Sequence, residues 1–535
     1  MNARLPLVAI FGLVAFFYAL PTLSASGAPY AHFEQLRSAR KEAVQRQRRV
    51  IFNNDGNEPV YTMSELSADA LLNLRTSPLA GSHVDSIFYC TWSSGFGLFT
   101  HDTRVGQVFA TKEGLFAPNR APELIAAGVD PLQVMAGFAQ KNGIELFWSF
   151  RMNDTHDGSK TEYGPIMLRA NRLKTEHPEW MIGSETEKPK LGAWTAVDYT
   201  RPEIRDLAFR YAEEVCTRYD VDGVELDFFR HPVFFKRAAM SGTPCSAEEC
   251  ALMSDLIRRI RAMTESVGMQ RGRPLLLAVR VPDSCAYAKA CGLDVEGWLA
   301  EGWVDLLIAS GYFQLSPWET SAALGHRYGA KVYPSLDESR VRDEKARVLR
   351  SSPAAYRGRA AAALAAGMDG VYLFNSFNPK NPIWREIGSQ ETLASLDKDY
   401  FASVRGLGGA AGGAFPHADF VQVPLLNPAK PIPLVPNQTA VSAFHAGVES
   451  DRPAEVHLLL QFGSGSGPSA APAELLPNLN GHLLAQGVPQ DNGWVSYKAE
   501  KTWLHPGKNE VLLSVPEATP KSLQWRDLRC TVRYH

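Results

Sequence analysis

The chain has 535 residues, of which 45% are hydrophobic and 21% charged, as is typical of a soluble globular protein. This length exceeds one ordinary domain, so we expect two folded units in addition to an export segment. The net charge of −2 gives no reason to expect a nucleic acid or an anionic membrane as a partner.

The N-terminus has the order of parts of a secretory signal. Arg4 supplies a positive charge, Leu5 to Leu20 form a 16-residue apolar run, and small residues follow, with cleavage expected after Ala25 or Ala28. An uncleaved membrane anchor is the alternative, although this run is just below the usual spanning length. The sequence therefore predicts a signal peptide over 1–28, a secreted or periplasmic protein, and no other contact with a membrane.

Residues 29–48 are polar and basic and end at Arg48, which Arg49 follows. We expect a helical segment here, with the charge run on a solvated face that leads into the first strand.

Between about 50 and 377 the sequence repeats one pattern: a short apolar run, a loop rich in polar and aromatic residues, and a helical stretch. Near-continuous apolar strands that alternate with helices are typical of a parallel sheet covered on its outer face. Eight such units predict a (β/α)₈ barrel over 49–398, since a doubly wound sheet usually has fewer units and a Gly-rich phosphate loop. The eight runs are Val50–Asn53, Ser86–Thr91, Ile144–Phe150, Gly223–Phe228, Leu275–Val281, Asp305–Ser310, Lys331–Leu336 and Gly370–Phe374.

The pattern changes after the barrel. Gly406 to Gly413 is a low-complexity run, which predicts a flexible linker over 399–425. Beyond it the apolar residues recur with period two, as at Val456, Leu458 and Leu460. We expect a small antiparallel β-sandwich over 426–535, as an accessory domain that either binds sugar or supports the barrel.

The seven cysteines leave their redox state open. Cys245 and Cys250, and likewise Cys285 and Cys291, fall in barrel loops where an oxidising compartment would permit local disulfides. The alternative is buried thiols, and the odd total leaves at least one cysteine unpaired within the chain. Neither pair is a CxxC, so no zinc site is expected.

The fourth strand contains the most informative motif. Side chains alternate across a strand, so Glu225 and Asp227 share one face while Val224 and Leu226 share the other. If the apolar pair faces the helices, both acids face the lumen at its open end, where catalytic groups of such barrels gather. Their repulsion would raise one pKa and separate an acid role from a base role. The alternative for Glu225 is a buried pair with Arg or Lys.

The same region resembles a known group. Tyr219 to Asp227 (YDVDGVELD), with His177–Trp180 (HPEW) and Asp198–Asp206 (DYTRPEIRD), is similar to the glycosyl-hydrolase-like barrels of bacterial surface proteins. These are loosely called family-ten-like and are distinct from true xylanases. The resemblance is clearest from 140 to 232. It implies a (β/α)₈ fold and carbohydrate substrates, with the acid that matches Asp227 near the catalytic centre.

The strand also partly matches the DGxDxDxE motif of family-18 chitinases. Asp222 and Gly223 match, Glu225 replaces the middle Asp, and Asp227 matches the next one. The final position, where those enzymes carry the general acid, is Phe229, which argues against the substrate-assisted chitinase mechanism.

Glycoside cleavage generally requires two carboxyl groups that flank the bond. A partner for Asp227 must come from another strand end. Asp337 or Glu338 after strand seven ranks first, then Asp154 after strand three, then Asp283 after strand five. Each of these could instead be a solvated loop acid.

The remaining predicted site residues form a polar and aromatic rim at the strand ends, where they would bind sugar hydroxyls. They are Arg230, His231, Asn53, Asn54, Asp55, Tyr89, Trp92, Arg151, Asn153, Asp283, Tyr312 and Asn375.

The sequence predicts no metal and no cofactor. Asn153, Asp154, His156 and Asp157 cluster in one loop, but their spacing matches no metal template. A Ser-nucleophile elbow, a phosphate loop and a dinucleotide fingerprint are all absent from the sequence.

We therefore expect an exported glycoside hydrolase that acts on a polysaccharide or oligosaccharide, with Asp227 as nucleophile or base. The alternative is a non-catalytic carbohydrate-binding or surface protein in which Glu225 and Asp227 only hold sugar hydroxyls. A polysaccharide lyase or sugar isomerase on the same scaffold is a third reading. Sugar, linkage, stereochemical outcome and oligomeric state stay open.

Overall fold

The computed structural model describes residues 28–405, 415–465, 467–468 and 475–535. The predicted signal peptide, except Ala28, and the predicted Gly-rich run lie outside these residues. No helix in the described part of the chain is both long enough and apolar enough to span a membrane.

Eight parallel strands form one sheet in the order β8-β1-β2-β3-β4-β5-β6-β7. The ends of the sheet meet through a parallel bridge between Ser335 and Tyr372, where Leu336 N donates to Tyr372 O over 2.8 Å. The predicted (β/α)₈ barrel is confirmed. Its strands are β1 Val50–Asn54, β2 Val84–Tyr89, β3 Glu145–Arg151, β4 Gly223–Asp227, β5 Leu276–Val281, β6 Leu306–Ala309, β7 Lys331–Pro334 and β8 Val371–Leu373.

Helices cover the outside of the barrel, and each strand is therefore buried on both faces; β3, for example, is buried at every position. Local signals set the helix ends, as where Asp130 accepts from Leu132 N at one start and Gly143 takes a left-handed φ of 66° at the matching end. The α-helices are Phe33–Val44, Glu58–Tyr61, Ala68–Arg75, Ala121–Ala126, Pro131–Asn142, Tyr163–Ala170, Arg172–Glu176, Pro202–Arg218, Lys236–Ser241, Ala247–Arg271, Cys285–Ala290, Val295–Ala300, Trp318–Arg327, Glu344–Arg350, Pro353–Ala365 and Gln390–Ala394.

Residues Phe33–Val44 of the N-terminal segment form a helix, but the expectation of a solvated charge run is wrong at Arg48. This side chain is fully buried and makes a two-bond ion pair with Glu145 at the start of β3, with N···O distances of 2.7 and 2.9 Å. Ser86 Oγ also donates to Glu145 over 2.6 Å. These residues close the end of the lumen that lies opposite to the carboxyl ends of the strands.

The C-terminal region is an antiparallel β-sandwich, as predicted. One sheet has the order β9-β17-β11-β15-β14 and the other the order β10-β16-β12-β13. The period-two residues Val456, Leu458 and Leu460 are buried between the sheets. The strands are β9 Lys398–Phe401, β10 Thr439–Ala446, β11 Ala454–Ser464, β12 Pro477–Leu479, β13 His482–Leu483, β14 Val488–Pro489, β15 Trp494–Ala499, β16 Gly507–Ser514 and β17 Gln524–Tyr534.

Strand β9 lies across the predicted start of the linker at 399. It pairs with β17 over Lys398–Phe401, so the sandwich takes a strand from before the Gly-rich run. Short strands outside this order are Leu98–Phe99, Gln107–Val108, Ile432–Pro433 and Gly467–Pro468.

All seven cysteines lie in the described residues, and all are free thiols. The sequence neighbours Cys245 and Cys250 are not bridged, nor are Cys285 and Cys291. Instead Cys245 and Cys291 line one small cavity together with Phe235.

Candidate active site at the barrel mouth

Glu225 lies in the middle of the lumen. Its Oε2 accepts from Ser149 Oγ at 2.5 Å, Tyr372 OH at 3.1 Å and Asn53 Nδ2 at 3.3 Å. These donors come from β3, β8 and β1, and only the lumen brings side chains of those strands to β4. The acids of the fourth strand therefore face inward, with Val224 and Leu226 on the outer face.

Burial favours the protonated form of the Glu225 carboxyl group. It is fully buried, and burial followed by the nearby Asp227 charge raises its pKa from 4.5 to about 8. Its Oε1 is buried and makes no hydrogen bond. The lumen thus holds, below Asp227, a second carboxyl group whose pKa is displaced upward.

Asp227 is the last residue of β4, and the guanidinium of Arg280 lies beside its carboxylate. In the sheet register it pairs with Arg151 of β3 on one side and with Arg280 of β5 on the other. Its Oδ2 is 3.4 Å from Arg280 Nη1, and its Oδ1 accepts from Phe229 N over 3.0 Å. The carboxylate is thereby fixed in the uppermost layer of the barrel, where the lumen opens.

Arg280 is a site residue that the sequence analysis missed. It is fully buried, and its guanidinium lies 4.0 Å from the centre of the Phe374 ring and 5.3 Å from that of Phe229. Burial opposes its charge, but the Asp227 carboxylate raises the pKa of Arg280 above its ordinary value. The available signal was an arginine inside an apolar strand, the same signal that singles out Glu225.

Arg151 joins two further acids at the mouth. Its Nη2 donates to Asp55 Oδ1 over 2.6 Å, and its Nη1 lies 3.3 Å from Asp154 Oδ2. Burial alone would raise the pKa of Asp55, but Arg151 and Arg230 lower it overall. The mouth therefore holds two buried ion-pair groups, Arg151 with Asp55 and Asp154, and Arg280 with Asp227.

Asp154, His156 and His231 form a hydrogen-bonded cluster beside these ion pairs. His156 Nδ1 is 2.8 Å from Asp154 Oδ2, and Thr155 N donates to His231 Nδ1 over 3.1 Å. Burial opposes the charge of Asp154, but His156 and Arg151 hold its pKa well below the ordinary value.

These three residues are also the one group in the described chain that offers metal-ligating atoms within 4.8 Å of one another. A cation there would have to displace Arg230 Nη2, which lies 3.1 Å from His156 Nε2. It would also lie near the Arg151 guanidinium. The donor set therefore fits a hydrogen-bonded cluster better than a metal site.

The two acids after β7 differ in position. Asp337 is fully buried, its Oδ1 accepts from Arg405 Nη2 over 2.7 Å, and its Oδ2 makes no hydrogen bond. The charge of Asp337, like that of Asp227, raises the pKa of Arg280. Glu338 is more than half exposed and pairs with Arg340 at 3.2 Å, so it points away from this group.

Two predicted rim residues hold loops in place. Asn153 donates to the backbone oxygens of Val197 and Val233 and accepts from Val197 N. Asp283 accepts from the amides of Leu315 and Ser316, and burial raises its pKa to about 7 against these bonds. Their polar atoms are directed at the backbone.

Of the three aromatic residues predicted for the rim, one lies at the mouth and two pack elsewhere. Tyr89 is fully buried with its hydroxyl unbonded, and it is one residue out of phase with the lumenal Phe88. Trp92 packs against Phe109 at 4.2 Å in a separate loop core. Tyr312 is at the mouth, where its hydroxyl accepts from Asn375 Nδ2 over 3.4 Å.

Several strand ends at this mouth have a left-handed backbone without glycine. Thr91, Trp92 and Ser93 after β2 have φ values of 44°, 67° and 31°, and Ser310 and Asn375 have 69° and 57°. Such residues are sterically disfavoured and concentrate at ligand and active sites. Their presence at three strand ends supports the mouth as the functional end.

A scan against protein-family models and a search of the curated proteins gave no match. Among solved structures, the chain is similar to a glycoside hydrolase family 18 N-acetylglucosaminidase from Paenibacillus barengoltzii, at 15% identity and TM-score 0.28, over 54% of this chain and 68% of that one. It is also similar to a GH36 α-galactosidase from Geobacillus stearothermophilus, at 10% identity and TM-score 0.35, over 92% of this chain and 56% of that one. A noncanonic maltogenic α-amylase from Thermotoga neapolitana matches at 10% identity and TM-score 0.35, over 86% and 98%.

The chain spans a little over half the length of that α-galactosidase.

Proposed function

We propose that this protein is a glycoside hydrolase that acts on a polysaccharide or oligosaccharide outside the cytoplasm, with Asp227 as the nucleophile or base. The observation that carries the proposal is the placement of Asp227: a buried carboxylate at the open end of a barrel, held by the Arg280 guanidinium and the Phe229 amide. Such a fixed carboxylate suits attack on an anomeric carbon, or activation of a water molecule at it.

Asp337 is our candidate for the second carboxyl group. It lies at the end of β7, and its Oδ2 is free of hydrogen bonds, so one oxygen can face a leaving group. Asp154 is less suited because both of its oxygens already accept bonds from His156 or Arg151. The exposed Glu338 has no part in the proposal.

Glu225 acts in this scheme as a neutral residue below the reacting groups. It precedes Asp227 by two residues on the lumenal face of β4 and accepts a hydrogen bond from Tyr372 OH, so it lies one layer deeper than Asp227 and does not touch the substrate.

The pairing of the mouth acids favours a second candidate, a carbohydrate-binding protein without turnover. Asp227, Asp55 and Asp337 each have an arginine within hydrogen-bond distance. Carboxylates fixed in this way can hold sugar hydroxyls without any proton transfer.

Asp227→Asn separates the two candidates. For a hydrolase we expect turnover to fall by at least about a hundredfold while glycan binding persists, because the amide keeps its shape and loses its charge. Release of reducing ends from a glycan panel measures turnover, and Asp255→Asn, on an outer helix beside Arg258, is the matched control. A parent protein that binds glycans and cleaves none of them supports the binding protein.

Asp337→Asn tests the second carboxyl group. A proton donor matters most when the leaving group is a poor one, so we expect natural glycans to be cleaved far more slowly than before. Aryl glycosides with acidic phenols should lose much less activity. An equal loss on both substrates would assign Asp337 to binding or folding instead.

A further inference from the structure

The arginines of the barrel mouth are unequally paired. Arg151 lies 2.6 Å from Asp55, Arg280 3.4 Å from Asp227, Arg405 2.7 Å from Asp337 and Arg340 3.2 Å from Glu338, so each has a carboxylate oxygen within hydrogen-bond distance. Arg230, which follows β4 directly, differs. The only carboxylate oxygen within 4.0 Å of it in the described chain is Asp154 Oδ2, at that limit.

The hydrogen-bonding capacity of the Arg230 guanidinium is not filled. Its Nε is buried and makes no hydrogen bond, and its Nη2 lies 3.1 Å from His156 Nε2. Burial, and then the like charge of Arg151, lower the pKa of Arg230 to about 10, against the attraction of Asp55, Asp154 and Asp227. A largely buried guanidinium that has carboxylates nearby but no direct hydrogen bond to one is costly, because its donors stay unsatisfied.

The guanidinium is nevertheless within reach of a ligand. The Arg230 side chain is 11% exposed and lies against the rings of Phe374 and Tyr312, at 5.2 and 5.5 Å. A second guanidinium, that of Arg340, lies 3.7 Å from the centre of the same Tyr312 ring. A guanidinium that aromatic rings hold in one orientation at the rim can bind a planar anion.

We propose that Arg230 binds the carboxylate of an acidic sugar, so that the substrate is a glycan with a uronic acid unit beside the bond cleaved. A carboxylate accepts two parallel bonds from one guanidinium, which a sugar hydroxyl cannot do. The inference rests on the proposed function for the cleavage, but the predicted preference concerns binding and is measured without turnover.

The test measures glycan binding in the Asp227→Asn background. The probes are immobilised uronic-acid oligosaccharides, the same oligosaccharides after methyl esterification, and sulfated neutral oligosaccharides. We expect the free acids to bind at least about tenfold more tightly than their esters, as loss of a charge-assisted pair implies. Arg230→Gln should abolish this preference. Arg347→Gln, on an exposed outer-helix position, should retain it.

Three results would overturn the inference: equal binding of acids and esters, binding of sulfated probes alone, or an unchanged preference in Arg230→Gln. Absence of any binding to the acidic probes would also overturn it. If Arg230→Gln does not fold, Arg230→Lys serves instead. It keeps the charge but not the two-pronged donor, and we expect it to lose most of the preference.

The outcomes also separate this inference from the proposed hydrolase. Uronic-acid binding without turnover in the parent protein supports the role of Arg230 and contradicts the hydrolase. Cleavage of neutral glycans that depends on Asp227, with no preference for acids, does the reverse.

Discussion

At the level of single residues, Glu225 and Asp227 share the lumenal face of β4, and Arg280 lies in register with Asp227 on β5. An acid inside an apolar strand predicts a side chain that faces the lumen and has a function there. The period of two places both acids on one face. The same rule applies to Arg280 in the next strand. Arg405 gives no such signal, because a residue distant in sequence meets Asp337 only through the path of the chain.

Rim residues could be placed near the mouth but not oriented. Tyr89 is at a predicted strand end, yet one step of the period turns it from the lumen toward the helices. Asn153 is in the expected loop, but its amide bonds the backbone at Val197 and Val233. Such choices depend on which backbone groups need partners after folding.

The raised pKa of Glu225 makes stability depend on pH. Its folded-state pKa of about 8 exceeds the ordinary 4.5, so the folded protein holds a proton that the unfolded chain releases. This contribution is complete below about pH 4.5 and is lost as the pH rises toward about 8, by a few kcal/mol at about 1.4 kcal/mol per unit. Glu225→Gln mimics the neutral acid, so its free energy of unfolding should fall less over this range.

Chemical denaturation at several pH values measures the difference. Glu213→Gln, an exposed position on the helix Pro202–Arg218, is the control and should follow the parent protein. Parallel pH curves for the parent protein and Glu225→Gln would show that Glu225 is ionised in the folded state.

At the level of elements, the positions of all eight barrel strands were predictable, because short apolar runs alternate with helices. The strand ends differ by at most two residues from the predicted ones, as at β8, which is Val371–Leu373. The loops were not predictable in detail. The left-handed turn Thr91–Ser93 contains no glycine from which it could have been predicted.

Gly223 at the start of β4 gives an element-level prediction. A Cβ there would lie 2.4 Å from the backbone oxygen of Leu276 on β5 and 2.4 Å from the Phe147 ring on β3. We expect Gly223→Ala to lower the free energy of unfolding by about 2 kcal/mol or more, because the barrel wall cannot move aside.

Gly137 is the matched control. It is exposed inside the helix Pro131–Asn142, and an added Cβ meets no atom within 4 Å. Gly137→Ala should therefore raise the free energy of unfolding by about 0.5–1 kcal/mol. Equal effects of the two substitutions in denaturant titrations would contradict the packing of β4 between its neighbours.

At the level of the whole molecule, a buried ion pair joins the barrel to the sandwich. Arg350, at the end of a barrel helix, makes bonds of 2.6 and 2.8 Å to Asp527 of β17, and both side chains are fully buried. Arg350 Nε also donates to Ser403 O, and its guanidinium lies 4.4 Å from the Phe401 ring centre. The change of pattern near 400 predicted two domains, but no sequence signal predicted this contact.

Removal of one member of this ion pair should lower the free energy of unfolding more than replacement of both members by apolar residues. Asp527→Ala leaves a buried guanidinium without an anion, so we expect the free energy of unfolding to fall by about 3–5 kcal/mol. Arg350→Met combined with Asp527→Leu should lose clearly less. If the double variant is less stable than Asp527→Ala in denaturant titrations, this expectation is wrong and the ion pair is a net stabilising contact.

Hydrolysis of a glycosidic bond at Asp227 is tested most directly by mass spectrometry of the products formed from a cleaved glycan in heavy-oxygen water. We expect one heavy oxygen at the new reducing end with the parent protein and no such product with Asp227→Asn. An unsaturated product without heavy oxygen, or equal product from both proteins, would show that Asp227 does not direct hydrolysis.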